Sequence, residues 1–316
     1  MHKFIDNIII YFQQYIICKM IYSRKSDRRE DFVLKGLINM NDKDNLLVLK
    51  NFIHKKLHFR IDQYKDRYIE RRLNARMNLT HVKSINEYIE LLKNDQDELN
   101  KLRDALTINV TEFFRNPQTF DILEKNVIPQ IIKNKELDST DVIKIWSAGC
   151  SSGEETYTLA ILFLEVLRKS QKKFKVSIRG TDIDRQSILT AKAGKYDGNK
   201  VKSIRKDLVD RYFQQIEDDY QIKPFVKQHI IFSYLDLTDI NKKVAIYDLI
   251  LCRNVIIYFK ENMKKELIED IYNVLRKNGF FIQGKNESLI GEAKDHFVTV
   301  NLSERIYSKV NNNTLH

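Results

Sequence analysis

The sequence predicts an α/β protein built of two parts: an all-helical N-terminal domain, and a larger domain in which helices cover a mostly parallel sheet. Glycine, which avoids helix interiors and collects at tight turns, is absent between Leu37 and Ala148 and frequent after that point. Apolar residues recur at helical spacing in the first part, whereas in the second they form short runs that alternate with helical patterns. Such alternation is typical of βαβ units, so a parallel sheet is expected in the C-terminal part.

The helical domain is expected at residues 41–125. Ser84 and Glu87, three residues apart, form a capping-box signature at the start of one helix. Asn116 followed by Pro117 provides an N-cap and a first-turn proline for another helix. Three groups of apolar residues repeat at helical spacing: Leu46, Leu49, Ile53 and Leu57; Ile85, Ile89 and Leu92; and Leu99, Leu102 and Leu106.

A linker containing Pro129 is expected at residues 126–140, and the α/β domain at residues 141–316. Residues 296–302 and 305–310 are separated by too little chain for a helical crossover, so these two runs should pair antiparallel. The strands expected before them are VIKIW (142–146), KVSIRG (175–180), YDLIL (247–251) and GFFIQG (279–284), with helices at 154–169 and 261–276.

Composition narrows the class of protein. At 316 residues, with 43% hydrophobic and 31% charged, the chain is long enough for two cored domains and too apolar to be disordered. A net charge of +11 favours polyanionic or acidic partners, without separating nucleic acid from an acidic protein surface. Cys18, Cys150 and Cys252 match no zinc or disulfide spacing, which favours a reducing cytoplasm. His54 and His58 have no third ligand nearby, so no metal site is expected.

Residues 1–40 form an N-terminal extension whose apolar segment is interrupted by polar residues such as Asp6 and Lys19. The segment lacks the roughly 20 consecutive apolar residues that a spanning helix requires, so no stable membrane insertion is expected. A signal peptide is also disfavoured, because no small-residue cleavage site follows. We expect either an amphipathic extension or an artefact of an upstream start codon, with Met40 the true first residue.

The turn after the first predicted strand carries the first chemical signal. Small residues from Gly149 to Gly153 would let a ligand approach the backbone closely, as in dinucleotide folds. The helix that follows begins with Glu154 and Glu155, and this negative charge disfavours a phosphate at the helix N-terminus. The turn therefore favours a cationic or ammonium-bearing ligand, unless the two glutamates merely complement the helix dipole.

Acidic and polar residues also follow the next two strands. Asp182 and Asp184 come at the end of the second strand, where a nucleoside-binding sheet bonds ribose hydroxyls. Asp182 is the better candidate, since Asp184 can simply cap the following helix. Arg253 and Asn254 end the YDLIL strand, and ligands bind outside the carboxyl ends of such strands, although a strand-end arginine can also just reach solvent. Together these signals suggest S-adenosylmethionine, whose sulfonium and amine are cationic and whose ribose is free.

Five segments resemble, in order, the signature segments of the chemotaxis receptor methyltransferases, the CheR family: TINVTEFFRNP, WSAGCSSGEETYTLA, GTDIDRQSILTAKAGKY, LCRNVIIYF and LRKNGFFIQGKNESL. The resemblance covers about residues 44–310. It implies a Rossmann-like S-adenosylmethionine-dependent methyltransferase sheet with a small antiparallel β insert, preceded by the all-helical domain. It further implies a cytoplasmic enzyme that methylates glutamate side chains of chemoreceptors in chemotaxis adaptation and releases S-adenosylhomocysteine.

The resemblance also implies roles for particular residues. Asp182 would bind the ribose, Glu155 the methionine portion, and Arg115 would either hold the cofactor's carboxylate or order the active site. Cofactor binding as a whole is carried over to Asn109, Thr111, Arg115, Glu155, Asp182, Asp236, Leu237, Arg253 and Asn254.

Catalysis and substrate docking are carried over in the same way. Arg115, Arg253 and Tyr258 are the expected catalytic residues, because an arginine can grip one carboxylate oxygen while a tyrosine hydroxyl fixes its approach. Lys65, Arg72 and Arg76 lie on a basic predicted helix, which in the family faces the acidic methylation region of the receptor. A solvated basic helix is the alternative.

The expected insert is QQIEDDYQIKPFVKQHIIFSY, residues 214–234. Family members that bind a peptide at the receptor's carboxyl end have a glycine in its loop, whereas this insert has none. Pro224 also removes an amide that an added strand might use. We therefore expect an enzyme that needs no receptor pentapeptide tether.

Two rival classes are weaker. Enzymes that methylate exocyclic base amines carry an Asn/Asp-Pro-Pro-aromatic motif where this chain has Arg253 to Ile256, and Cys252 is more readily a packed residue than a cytosine C5 nucleophile. A non-catalytic adaptor is disfavoured by the retention of Arg115, Asp182, Arg253 and Tyr258. We expect no nucleic-acid partner, and we expect a monomer that acts on the methylation helices of chemoreceptors.

Overall fold

A computed structural model of the chain describes residues 43–107, 109–170, 173–240 and 245–309. The expectations for residues 1–40, including Cys18, lie outside the described residues. None of the described helices is long and apolar enough to cross a membrane.

Residues 43–106 of the described chain form a bundle of four helices, as the apolar spacing predicts. Ser84 accepts a hydrogen bond from the amide of Glu87 at 3.2 Å, which confirms the predicted cap. Asp95 caps the next helix by accepting from the amides of Asp97 and Glu98 at 2.9 and 3.0 Å. The helices are α1 (Lys43–Leu57), α2 (Asp66–Leu79), α3 (Ile85–Asn94) and α4 (Gln96–Leu106), with a 3-10 turn at Ile61–Gln63.

The expected linker is instead mostly helical. Helix α5 (Pro117–Ile122) continues through a π-helical turn, Leu123–Val127, into α6 (Ile128–Leu137). Pro129 lies in the first turn of α6, where a missing N–H costs little, so this proline did not mark a break. Buried apolar residues hold the segment on the α/β domain: Leu123, Val127, Ile128 and Ile131.

The α/β domain is built on a seven-stranded sheet in the order β6-β2-β1-β7-β8-β10-β9. Neighbouring strands from β6 through β8 are parallel, whereas β10 pairs antiparallel with both β8 and β9, as expected for the last two runs. The elements are β1 (Val142–Ala148), α7 (Glu154–Arg168), β2 (Lys175–Asp182), α8 (Arg185–Ala193), β3 (Lys195–Asp197), α9 (Gly198–Val201), α10 (Lys206–Tyr212), β4 (Phe213–Ile216), β5 (Asp219–Ile222), α11 (Pro224–Lys227), β6 (Ile230–Tyr234), β7 (Tyr247–Cys252), α12 (Glu261–Val274), β8 (Leu275–Gln283), β9 (Phe297–Asn301) and β10 (Ile306–Lys309).

The small antiparallel sheet exists, but the predicted bounds were wrong. It consists of β3, β5 and β4, so it begins at Lys195 and ends at Ile222. The last part of the predicted insert forms β6, which belongs to the main sheet. There β6 runs parallel to β2, and Ile230 of β6 is paired with Ile178 of β2. Pro224 begins α11 and lies outside the small sheet.

Two apolar clusters hold the structure together. One packs the helical domain and one face of the main sheet around residues such as Ile53, Leu73 and Trp146. The other packs the opposite face of the sheet against α7, around Leu159 and Phe163. The helical domain lies against the carboxyl ends of β6 and β7, because Arg60 donates to the carbonyl of Thr238 and the amide of Lys65 donates to the carbonyl of Tyr258.

Candidate active site

A cleft of roughly 580 Å3, part of it open to solvent, lies between the helical domain and the main sheet. The sheet domain contributes Gly149, Asp182, Leu235, Leu237, Asn254 and Tyr258, among others, and the helical part contributes Phe59, Tyr64, Tyr68 and Asn109. Several residues singled out from the sequence therefore meet in one place. The cleft stands outside the carboxyl ends of the strands, as expected for an open α/β sheet.

The turn after β1 requires glycine at Gly149 for two separate reasons. Its φ is +74°, a left-handed conformation, and a Cβ atom there would lie 2.4 Å from Cγ2 of Val255. The amide of Gly149 donates to the carbonyl of Thr181 at 2.8 Å, which ties the turn to the end of β2. The turn is therefore fixed by its packing on Val255 and its bond to Thr181, and Gly149 lines the cleft where the strands end.

Asp182 is buried at the floor of the cleft, with 9% of its surface exposed. Its two carboxylate oxygens accept hydrogen bonds from the amides of Ser151 and Asp184, at 2.7 and 2.9 Å. Burial raises the pKa of Asp182 to about 6, against the opposing effect of these amides. Each oxygen keeps a further lone pair, so the carboxylate can accept from two adjacent hydroxyls, and the residues present fit a ribose.

Asp184 has the capping role that the sequence allowed for it. It begins α8 by accepting from the amide of Gln186 at 3.0 Å, and its other oxygen accepts from Ser187 at 2.7 Å. That same oxygen accepts from the side-chain amide of Asn109 at 2.6 Å. Asn109 thus anchors the chain that leaves the helical domain beside the cleft.

Arg253 lies at the centre of a buried network, with 5% of its surface exposed. It pairs with Glu155 at 2.9 Å and donates to the carbonyl of Arg115 at 3.0 Å and to Oδ1 of Asn116 at 2.8 Å. Glu155 also accepts from Ser147 at 3.2 Å. Arg253 therefore contacts the loop of Arg115 and the carboxylate of Glu155, which is expected to bind the cofactor. These partners differ from the substrate carboxylate that Arg253 is expected to hold.

Arg115 itself is half-buried and donates to the carbonyl of Val110 at 2.9 Å. The loop 109–116 that carries it is held from below by Phe113, whose ring is 4.9 Å from that of Tyr196. Thr111 is half-buried in the same loop. The loop therefore folds over the sheet from a fixed anchor.

Glu287 is a buried anchor of the loop after β7, a role that the sequence did not indicate. It is 4% exposed, and its carboxylate accepts from the amides of Asn254, Ile257 and Gly284 at 3.0, 3.2 and 2.6 Å. Burial raises the pKa of Glu287, whereas the three amides lower it. In the sequence, Glu287 is only an isolated acid shortly after a buried strand. Nothing near it indicates that it bonds to the loop at Asn254, 33 residues earlier.

The loop held by Glu287 carries Asn254 and Tyr258. Asn254 adopts a left-handed backbone with φ of 61°, a conformation that asparagine tolerates better than most residues. Tyr258 is half-buried, and its ring lies 4.9 Å from that of Tyr68. Tyr68 in turn donates its hydroxyl to the carbonyl of Leu106 at 2.6 Å, so both rings are fixed at the cleft.

On the other side of the cleft, Leu237 is buried at 6% exposure, and Asp236 shapes its turn. Oδ1 of Asp236 accepts from the amide and the hydroxyl of Thr238 at 2.8 and 2.7 Å. Leu237 therefore lines the cleft, whereas the carboxylate of Asp236 bonds within its own turn.

The three cations expected to dock the substrate have unlike surroundings. Lys65 is exposed at the start of α2, and Arg72 lies over the ring of Tyr68 at 5.7 Å. Arg76 forms an ion pair with Glu98, a buried acid that also accepts from Tyr88 at 2.8 Å. Arg76 therefore has a structural partner within the bundle.

Both cysteines among the described residues are buried. Cys252 is fully buried, and burial raises the pKa of its thiol, as it does for Cys150, so neither is prepared to be a nucleophile. Within the part of the chain that the structure describes, no group of three or more His, Cys, Asp or Glu side chains could hold a metal ion.

The fold and the cleft define an S-adenosylmethionine-dependent methyltransferase. The family model for the CheR methyltransferase, SAM binding domain, matches residues 109–306, and that for the CheR methyltransferase all-alpha domain matches residues 44–107. The chain belongs to the CheR methyltransferase family.

Curated relatives agree over most of their length. The chain is 32% identical over 269 residues to a chemotaxis protein methyltransferase of Borreliella burgdorferi, covering 83% of this chain and 94% of that protein. It is 30% identical to chemotaxis protein methyltransferase 1 of Pseudomonas aeruginosa, covering 81% and 93%. It is also 33% identical to a chemotaxis protein methyltransferase of Listeria innocua, covering 75% and 87%.

Proposed function

We propose that this methyltransferase acts in chemotaxis and forms methyl esters on glutamate side chains in the cytoplasmic methylation helices of chemoreceptors. The observation that carries the proposal is that Tyr258, a hydroxyl donor, lines the same cleft as the cofactor-binding turn at Gly149 and the ribose candidate Asp182. The names of the relatives support the chemotaxis context. The enzyme is expected to work as a cytoplasmic monomer.

The chemistry asks little of the protein beyond orientation. When bound, S-adenosylmethionine supplies an activated methyl group, which a glutamate carboxylate takes up as an ester. A glutamate has a reference pKa near 4.3, so it is ionised at neutral pH and needs no general base. Tyr258 and Arg115 would hold and aim the carboxylate, and such positioning is worth up to about 7 kcal/mol.

The same proposal assigns the cofactor contacts. Asp182 would accept from the ribose hydroxyls, and Glu155 would bind the methionine amine while Arg253 holds it in place at 2.9 Å. The remaining expected contacts are Asn109, Thr111, Arg115, Asp236, Leu237 and Asn254.

Docking of the receptor is proposed for the basic surface of α2. Lys65 is exposed and Arg72 is half-buried over the ring of Tyr68, and the net charge of +11 would attract an acidic methylation region. Arg76 would support this surface through its ion pair with Glu98. Attraction between exposed charges is screened over about 8 to 10 Å, so methylation should weaken as salt rises.

Independence from a receptor pentapeptide tether is also proposed. The turn between β4 and β5 contains Glu217 with φ of 57°, a left-handed conformation for which glycine would be the favoured residue. A glutamate at that position restricts the turn compared with a glycine-containing loop. Pro224 no longer supports the argument, because it lies in α11 and not in an edge strand.

The test is methyl transfer from tritiated S-adenosylmethionine to receptor-rich membranes, with intact receptors and with receptors that lack their last five residues. Methyl esters are cleaved by mild alkali, so label on both receptor forms should be released as volatile methanol. Label that resists alkali would contradict glutamate esterification. Loss of labelling on the shortened receptors alone would contradict tether independence.

A further inference from the structure

One segment of the helical domain, residues 59–65, contacts both sides of the cofactor cleft, and we call it the cleft strap. It includes the 3-10 turn Ile61–Gln63 between α1 and α2. Phe59 and Tyr64 line the cleft directly, and their rings stack with centroids 4.7 Å apart. The cleft strap is therefore a wall of the cleft that the helical domain supplies.

On one side, the cleft strap is bonded to the loop after β7. The amide of Lys65 donates to the carbonyl of Tyr258 at 2.9 Å. Tyr64 and Phe259 pair as an isolated antiparallel bridge, and their rings lie 4.9 Å apart. These contacts tie the strap to the wall that carries Tyr258.

On the other side, the cleft strap is bonded to the loop after β6. Nη1 of Arg60 donates to the carbonyl of Thr238 at 2.8 Å, across 178 residues of sequence. Thr238 closes the turn on Asp236, and between them Leu237 faces the cleft. A charged donor on a carbonyl makes a stronger hydrogen bond than a neutral one. Arg60 therefore holds this turn in place from the helical domain.

We propose that Arg60 is a positioning residue for the cofactor: through the cleft strap it fixes the Asp236–Thr238 turn relative to the Tyr258 wall. The strap joins the two walls of the cleft through Arg60 and Lys65, which are only five positions apart. The distance between the walls therefore cannot change freely while Arg60 is bonded to Thr238 and Lys65 to Tyr258. The proposal rests on this cleft being the S-adenosylmethionine site. It does not depend on which side chain is methylated.

The test is the affinity of the purified full chain for S-adenosylhomocysteine, measured by calorimetry. Arg60→Ala should raise the Kd about ten-fold and speed dissociation, because the Asp236–Thr238 turn loses its charged hydrogen bond and must then be ordered when the cofactor binds. The KM for S-adenosylmethionine should change more than kcat. Arg60→Met, which keeps the aliphatic stem but cannot donate, should match Arg60→Ala, and Arg60→Lys should fall between them and the wild type.

Arg67→Ala is the matched control, because Arg67 is an exposed arginine of the same domain, and its affinity should equal that of the wild type. Wild-type affinity in Arg60→Met would overturn the proposal even if Arg60→Ala folded poorly. An equal loss in Arg67→Ala would also overturn it. No receptor enters these measurements, so their failure leaves the proposal of glutamate methylation untouched.

Discussion

The ionisation of Asp182 offers a quantitative prediction for cofactor binding. With its pKa raised to about 6, Asp182 is about 90% protonated at pH 5 and about 10% protonated at pH 7 in the cofactor-free protein. Only the ionised carboxylate accepts from two ribose hydroxyls while both amides remain bonded. Affinity should therefore be full above pH 7 and fall as pH falls through 6, by about ten-fold between pH 7 and pH 5.

Replacing the acid should remove this dependence. Asp182→Asn loses a charged acceptor, and its amide group would face one of the two backbone donors, at Ser151 or Asp184. The expected loss is about 1.5–3 kcal/mol, or about 10- to 100-fold in the Kd for S-adenosylhomocysteine at pH 7.5. The remaining affinity should be flat between pH 5 and pH 7.

The assay is calorimetric titration with S-adenosylhomocysteine at several pH values, with thermal melts of the ligand-free proteins to verify folding. Asp207→Asn is a suitable control, because Asp207 is an exposed acid of α10 paired with Arg205. Its pH profile should follow the wild type. A wild-type profile in Asp182→Asn would refute the reasoning.

Four further outcomes are expected from single variants. Tyr258→Phe should bind S-adenosylhomocysteine with nearly wild-type affinity. Its rate of methyl transfer should fall by about ten-fold or more, because the substitution removes a hydroxyl that aims the substrate. A wild-type turnover rate would show that Tyr258 has no catalytic role. Glu287→Gln should lower turnover, because the NH2 group of the glutamine would face backbone amides that donate to Glu287 in the wild type. Unchanged kinetics would show that the Asn254 loop needs no such anchor. Arg72→Glu should lower receptor methylation at low salt more than it lowers cofactor affinity, and the reverse order would contradict the docking role. Arg76→Ala should destabilise the fold by about 3 kcal/mol, because the buried carboxylate of Glu98 loses its cation and keeps only the hydrogen bond from Tyr88. Equal melting temperatures for Arg76→Ala and the wild type would contradict this prediction.

The position of a residue in the cleft was predictable where that residue lies at the end of its own strand. Gly149 follows β1 directly and Asp182 is the last residue of β2, and the parallel sheet itself brings such residues to one edge. The capping role of Asp184 is equally local. These assignments needed only the order of strands and turns.

The rest depends on contacts between distant parts of the chain. The partners of Arg253 are 98 and about 138 residues away, and nothing near Arg253 in the sequence indicates them. The strands β3, β4 and β5 have three or four residues each, too few to show a period, so the bounds of the insert were misplaced. The sequence around Pro129 predicts a linker because a first-turn proline and a helix-breaking proline look alike without the packing of Leu123 and Ile131.

The central claim is that the acceptor is a glutamate carboxylate on a chemoreceptor, and tandem mass spectrometry of receptors incubated with this enzyme and S-adenosylmethionine tests it most directly. The expected spectra place an added methyl group on glutamate side chains of the cytoplasmic helices, removed by mild alkali and absent with Asp182→Asn at limiting cofactor. Methylation found instead on lysine, arginine or co-purified nucleic acid, with unmodified receptor glutamates, would contradict the account.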